Sequence, residues 1–108
     1  MHIPSLFSSF TGDTPLFKII DFLVDNKGLD FTKKDIAEGA DISRASLFEY
    51  WPQLERNDVV KPTRKFGKTV LYTLNNASPI TKKILELEAV LIRQAMVKSK
   101  TREEFVVA

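Results

Sequence analysis

Apolar residues recur at helical spacing between positions 14 and 24. Asp13 or Thr14 is a good N-cap for this segment, and Pro15 suits a first helical turn. Asn26 to Gly28 then interrupt the pattern. The pattern predicts a first helix whose broad apolar face is directed at a core.

Two shorter helices separated by a tight turn are predicted next. Thr32 is placed to cap a helix that stops at Gly39, with Asp35 at the capping-box spacing as a weaker substitute for Glu. Residues 40–42 make the turn, and Ser43 is placed to cap a third helix. The predicted order is helix, tight turn, helix.

After the third helix the period changes to that of strands. Val59 and Val60 begin one run, residues 70–74 form the second, and Phe66 and Gly67 lie in the turn between them. These runs predict a β-hairpin. The fold class expected for the whole chain is mainly α with a small β-hairpin, that is, α+β.

A long fourth helix is predicted from Ser78 or Pro79 to about Val97. Its apolar residues cover more than one narrow face, and one small domain cannot easily bury them all. The segments outside the helices and the hairpin are an N-terminal arm, residues 1–13, and a charged tail, residues 99–108.

Composition excludes several classes of function. The 108 residues suit a single domain, and 44% hydrophobic with 28% charged residues is typical of a folded globular protein. With no cysteine, and with His2 as the one histidine, we expect no metal site, no disulfide and no Ser/His/Asp triad. No paired carboxylates, phosphate loop or nucleophile motif is recognisable, so we expect neither an enzyme nor a cofactor.

The sequence also favours a cytoplasmic protein without membrane contact. Charged residues interrupt the apolar stretches every few positions, and the N-terminus lacks the features of a signal peptide. The net charge is only +2, but one dense cationic cluster is present. It holds Lys61, Arg64, Lys65 and Lys68 without an intervening acid, at the expected tip of the hairpin.

Residues 14–95 resemble the winged helix-turn-helix transcription regulators, especially compact prokaryotic and archaeal forms such as the MarR and ArsR groups. The core and cap positions that carry the resemblance are Thr32, Ile36, Ala37, Ile42, Ser43, Leu47, Leu54, Val59 and Val60. In these regulators the β-hairpin is called the wing. The end of the wing and the long helix add Tyr72, Thr73, Leu74, Asn75, Ser78, Pro79, Leu85, Glu86, Leu87 and Glu88 to the resemblance. The resemblance implies a winged helix-turn-helix domain over residues 14–76 and a dimerisation helix over residues 77–98.

The implied function is sequence-specific binding of double-stranded DNA by a homodimer that regulates transcription. The third helix would enter the major groove, and the wing would contact the backbone or the minor groove. Predicted DNA-binding residues are Thr32, Lys33, Lys34, Ser43, Arg44, Ala45, Ser46, Phe48, Glu49, Arg64, Lys65, Gly67 and Lys68. Predicted dimer-interface residues are Ile80, Ile84, Leu87, Leu91 and Ala95. No small-molecule ligand is predicted.

Plainer interpretations stand beside these. Ser43 could serve only as a cap, Arg44 only as a solvated charge, and Phe48 could pack in the core. The first helix and the arm could cover the fourth helix within one chain. The alternative function is a winged helix for protein contact without base readout. The acidic residues near the third helix, which we call the reading helix, favour this alternative.

Pro52 is expected to kink or break the third helix near Trp51. Proline removes a helical hydrogen bond and clashes with the carbonyl of Phe48, four residues earlier. Such a break could set how deeply the helix enters the groove, or it could orient Trp51 into the core. We favour the second.

Overall fold

Helices precede and follow one β-hairpin along the chain, in the predicted order. The computed structural model describes residues 10–107, with the side chains of residues 10–98. The elements are α1 (Pro15–Asp25), α2 (Lys33–Gly39), α3 (Arg44–Arg56), β1 (Val60–Phe66), β2 (Thr69–Leu74) and α4 (Pro79–Val107). The mainly helical α+β fold is thereby confirmed, while most of the predicted arm lies outside the described residues.

The three predicted N-caps are confirmed. Thr14 accepts a hydrogen bond from the first turn of α1. Thr32 Oγ1 accepts from the backbone N–H of Asp35 at 3.1 Å, and Asp35 Oδ2 accepts from the N–H of Thr32 at 3.3 Å. Ser43 Oγ accepts from the N–H of Ser46 at 3.1 Å. These bonds satisfy amides that a helix leaves unpaired at its start, and so fix where each helix begins.

One apolar core joins α1, α2, α3 and the base of the hairpin. Its most deeply buried large side chains are those of Ile19, Leu23, Ile36, Leu47, Trp51, Leu54, Val59 and Leu74. Burying each such side chain contributes about 1.5–3 kcal/mol to folding. The core holds α3 by one side and leaves its other side facing outward.

α2 ends at Gly39, as predicted, but Gly39 is not the residue that turns the chain. The residue with left-handed backbone is Asp41, at φ 57°, and not the glycine. A Cβ at position 39 would overlap the ring of Phe22. Glycine is therefore required by the close packing of α2 on α1, and the turn residue Asp41 completes the chain reversal.

The predicted break in α3 does not occur. The helix runs without interruption from Arg44 to Arg56, with Pro52 inside it. Trp51 is 2% exposed, so its predicted orientation into the core is confirmed. Core contacts of Trp51 and Leu54 on either side of the proline offset the lost hydrogen bond.

The hairpin is antiparallel and irregular at one point. A β-bulge lies between Pro62 and Arg64, and a two-residue turn that starts at Gly67, with φ 60°, joins the strands. On the other edge of β2, Tyr72 exchanges backbone hydrogen bonds of 2.7 and 2.8 Å with Phe31. The segment before α2 thus attaches to the hairpin.

The long helix α4 is anchored at its start. Ser78 Oγ donates to the carbonyl of Asn57 at 3.1 Å, and Thr81 is fully buried. The helix continues to Val107, beyond the predicted end near Val97, because residues 98–107 contain no proline or glycine. Twenty-nine residues make a helix about 43 Å long. In the described part of the chain no helix has the length and apolarity needed to span a membrane.

Candidate nucleic-acid interface

The outward side of α3 carries the predicted reading residues. Leu47, Trp51 and Leu54 face the core at helical spacing. Arg44 and Phe48 lie beside that stripe and are exposed to solvent, Phe48 with 51% exposure. Of the other predicted residues on this helix, Ser43, Ala45 and Glu49 are also exposed, and Ser46 is half-buried. The helix therefore exposes one cation, one aromatic ring and several small or polar side chains at its start.

An open cleft of about 460 Å³ lies between the start of α2, α3 and β2. Six of the predicted DNA-binding residues line it: Thr32, Lys33, Lys34, Arg44, Phe48 and Lys68. Three lining residues escaped the sequence prediction: Thr69, Val70 and Tyr72. The strand period could have placed Val70 and Tyr72 on one face, but only the register of β2 brings that face to α3.

The ammonium group of Lys33 lies close to three aromatic rings in this cleft, which we call the aromatic wall. Its Nζ lies 5.3 Å from the ring centroid of Trp51 and 5.6 Å from those of Phe48 and Tyr72. Trp51 and Tyr72 are themselves edge-to-face with centroids 4.9 Å apart. Aromatic faces attract a cation without neutralising its charge. The positive charge of Lys33 is therefore fixed in position and remains available to an anion.

Arg64 of the wing is held in a different way. Its Nε and Nη2 donate to the two carboxylate oxygens of Asp30 at 2.8 and 2.9 Å. Thr63, the residue at the bulge, donates to the same carboxylate at 2.6 Å. The hydrogen bonds from Arg64 and then from Thr63 lower the pKa of Asp30 from 3.8 to about 2. Arg64, predicted as a DNA contact, thus ties the wing to the segment before α2.

The tip of the wing combines cations with an exposed ring. Lys65, Gly67 and Lys68 are exposed, as predicted for contact with DNA. Phe66 is 61% exposed, and the Arg64 guanidinium lies 5.5 Å from its ring centroid. The tip therefore offers both positive charge and apolar surface.

Acidic residues are also exposed on the helices that carry cations of the cleft. Asp35, Glu38, Asp41 and Glu49 are exposed around α2 and the start of α3. Asp35 accepts the cap hydrogen bond of α2, which gives it a structural role. The others would repel a phosphate placed close to them.

The predicted dimer residues lie on α4 in two environments. Ile80 is 43% exposed, whereas Ile84, Leu87, Leu91 and Ala95 are half-buried. An open apolar groove of about 380 Å³ runs along this part of α4, lined by Pro79, Ile80, Lys83, Ile84 and Leu87. α1 covers part of the helix, since Leu16, Phe17 and Ile20 line a second cavity with Ile80 and Ile84. Further along, Val90, Ile92, Met96 and Val97 are exposed and were not predicted as interface.

Another side of α4 carries Glu88, whose charge interacts with acidic residues of α1. Burial raises the pKa of Glu88, and the charge of Asp25 adds to this effect. The charge of Lys27 opposes it, and the buried Asp21 contributes further in the raising direction. Among the described residues no group of three or more histidine, cysteine or acidic side chains is arranged to hold a metal ion.

Solved structures of known regulators share this architecture. NadR in complex with 4-hydroxyphenylacetate matches with a TM-score of 0.61 and 21% identity over 94% of this chain and 77% of its own. MepR, a regulator of the Staphylococcus aureus multidrug efflux pump MepA, matches at 0.58 and 11% identity over 93% and 76%. ZitR, a zinc-responsive MarR family member of Lactococcus lactis, matches at 0.52 and 16% identity over 84% and 60%.

The chain has the winged helix-turn-helix fold of these regulators. At identities of 11–21% the shared property is the fold. The chain spans 60% of the length of ZitR and about three quarters of NadR and MepR. No protein-family model and no curated protein sequence matches it.

Proposed function

We propose that the protein is a homodimeric transcription regulator that binds double-stranded DNA sequence-specifically. α3 enters the major groove, and the wing contacts the backbone or the adjacent minor groove. In this proposal the protein acts in the cytoplasm, catalyses no reaction and needs no small-molecule effector.

The observation that carries the proposal is the convergence of cations from three chain segments on one cleft. Lys33 and Lys34 come from α2, Arg44 from α3 and Lys68 from the wing. When cations from distant parts of the sequence share one surface, that surface has the positive charge needed to bind a polyanion. The N-terminal half of α3 projects beside them, where its side chains can reach base edges.

The dimer part of the proposal rests on α4. Its groove at Ile80, Ile84 and Leu87 is apolar and open, and the exposed residues further along extend the apolar surface. A second copy of the same helix would cover it through a twofold, self-complementary contact. Two reading helices related by a twofold axis match half-sites about 34–36 Å apart on DNA.

The experiment is selection of duplexes from a random-sequence pool, followed by fluorescence anisotropy at about 50 and 200 mM salt. The variants are Arg44→Ala and Lys68→Ala. Loss of a base contact at Arg44 should weaken binding by about 1–3 kcal/mol and relax specificity at one position, whereas loss of a phosphate contact should reduce the salt slope by about 1.

Lys82→Ala is the matched control. Lys82 is exposed in the first turns of α4, which is anchored beside Asn57 at the far end of α3 from Arg44. Those ends are separated by about 20 Å of helix. The control should bind like the wild type, and mass in solution should show a dimer. Selection of no sequence, or equal losses in all three variants, would contradict the proposal.

A second function is favoured by one observation. The exposed acids Glu38, Asp41 and Glu49 lie close to the reading helix, which suits a protein partner with a basic surface better than it suits DNA. Absence of duplex binding even at about 50 mM salt would establish this protein-contact function as the better explanation.

A further inference from the structure

Phe66 is the exposed aromatic residue at the end of β1, next to the two-residue turn of the wing. It is 61% exposed and pairs across the turn with Thr69, which is also exposed. The dense cationic run 61–68 surrounds it and contains no acid. An apolar ring at the centre of a positively charged tip calls for a partner that is both anionic and able to receive the ring.

The ring is braced by a chain of contacts that begins outside the wing. Asp30 holds the guanidinium of Arg64 with two hydrogen bonds, and that guanidinium lies 5.5 Å from the centroid of Phe66. Arg64 and Phe66 are two apart on β1 and so share one face of the strand. The bulge at Thr63 adds a third hydrogen bond to Asp30. A ring held in this way loses less conformational entropy when it is inserted into a partner.

Duplex DNA fits both requirements. Its phosphates match Lys65 and Lys68, which flank Phe66 in the sequence, and its minor groove, about 6 Å wide, admits side chains at a hairpin tip. Apolar side chains can enter between base pairs from this groove and kink the duplex by about 20–90°. The steps that open most readily are TA and CA/TG.

We propose that Phe66 inserts between base pairs from the minor groove beside the α3 site and kinks the bound duplex. This inference rests on the proposed function, because it requires that the protein bind duplex DNA. It adds indirect readout, since a flexible step beneath the wing would be preferred without any hydrogen bond to its bases.

The test measures bending and unstacking on a duplex that the wild-type protein selects from a random pool. Resonance energy transfer between the duplex ends reports the bend, and 2-aminopurine placed at TA and CA steps reports unstacking by increased fluorescence. For the wild type we expect a bend of at least about 20° and a fluorescence increase at one step under each wing.

Four variants separate insertion of Phe66 from other contacts with DNA. Phe66→Ala should lose the bend and the fluorescence increase but keep the wild-type salt slope, because the phosphate contacts remain. Phe66→Leu should retain most of the bend, since leucine also serves as a wedge. Lys82→Ala, on α4 and away from the cleft, is the control and should behave like the wild type. Phe48→Ala, on α3, should weaken binding while the bound duplex stays bent.

The outcomes distinguish the two proposals. If the wild type binds its selected duplex without bending or unstacking it, the wedge is overturned and the regulator proposal stands. If Phe66→Ala bends DNA as the wild type does, the wedge is likewise overturned. If the wild type binds no duplex at all, both proposals fail.

Discussion

Two cations of this domain are held by opposite means. Lys33 stands against the rings of Phe48, Trp51 and Tyr72, whereas Arg64 is paired with the carboxylate of Asp30. The rings fix the position of Lys33 and leave its charge uncompensated, while Asp30 fixes Arg64 and neutralises it. The contrast indicates that Lys33 supplies attraction for an anion and that Arg64 supplies the rigidity of the wing.

Removing the buried ring behind Lys33 should have the largest effect on the molecule. Trp51→Ala is expected to lower the free energy of unfolding by about 3–5 kcal/mol, because Trp51 is 2% exposed in the core. Denaturant unfolding monitored by circular dichroism measures this change. Phe48→Ala removes another ring of the same wall, but one that is 51% exposed, and should cost about 1 kcal/mol or less. Equal losses would show that the wall acts as one structural unit.

The charges of the two sites should move DNA binding in opposite directions. Lys33→Met keeps an unbranched side chain against the rings and removes the free charge, so the salt slope of duplex binding should fall by about 1. Asp30→Asn removes the acid that neutralises Arg64, and the slope should rise by about 1. Anisotropy titrations over a range of salt measure both slopes.

A decrease in slope for Asp30→Asn would reverse the comparison, because it would show that Arg64 contacts phosphate only when its carboxylate positions it. Lys82→Ala, on α4 and away from the cleft, is the control and should leave the slope unchanged.

Local signals predicted the fold well and the arrangement of the interface only in part. Caps at Thr32 and Ser43 depend on neighbouring residues, so the sequence is enough to place them. The contact of Arg64 with Asp30 joins residues 34 positions apart and depends on the bulge at Thr63, which no local pattern announces. A wing cation therefore could be predicted, but not its partner.

The same limit applies to Pro52 and Gly39. The prediction of a break at Pro52 considers the backbone alone, and core contacts of the neighbouring Trp51 and Leu54 keep α3 intact. α2 ends at Gly39 as predicted, but the ring of Phe22, packed from another helix, is what excludes a side chain there. In both cases tertiary packing decided the outcome of a local preference.

The smallest effect expected is on acid stability, and it tests the Arg64 side of the comparison. The pKa of Asp30 is about 2 in the folded protein and 3.8 ordinarily, so the unfolded chain binds its proton first as pH falls. The stabilisation from the ion pair is then complete above about pH 4 and is lost as pH falls from 3.8 towards 2. Unfolding curves of the wild type and Asp30→Asn should differ above this window and converge below it.

The contribution of Glu88 to stability should depend on pH in the opposite direction, and the same measurement tests it. Burial, with the charge of Asp25, raises its pKa, so the folded protein binds the proton more tightly than the unfolded chain does. Stability from this group falls as pH rises above its ordinary value of 4.5, and Glu88→Gln should remove that fall. In a plot of the free energy of unfolding against pH, Asp30→Asn should therefore flatten the part below about pH 4, and Glu88→Gln the part above pH 4.5. A single variant that changed both parts of the plot would show that the wing and α4 are coupled, and that Asp30 does more than hold Arg64.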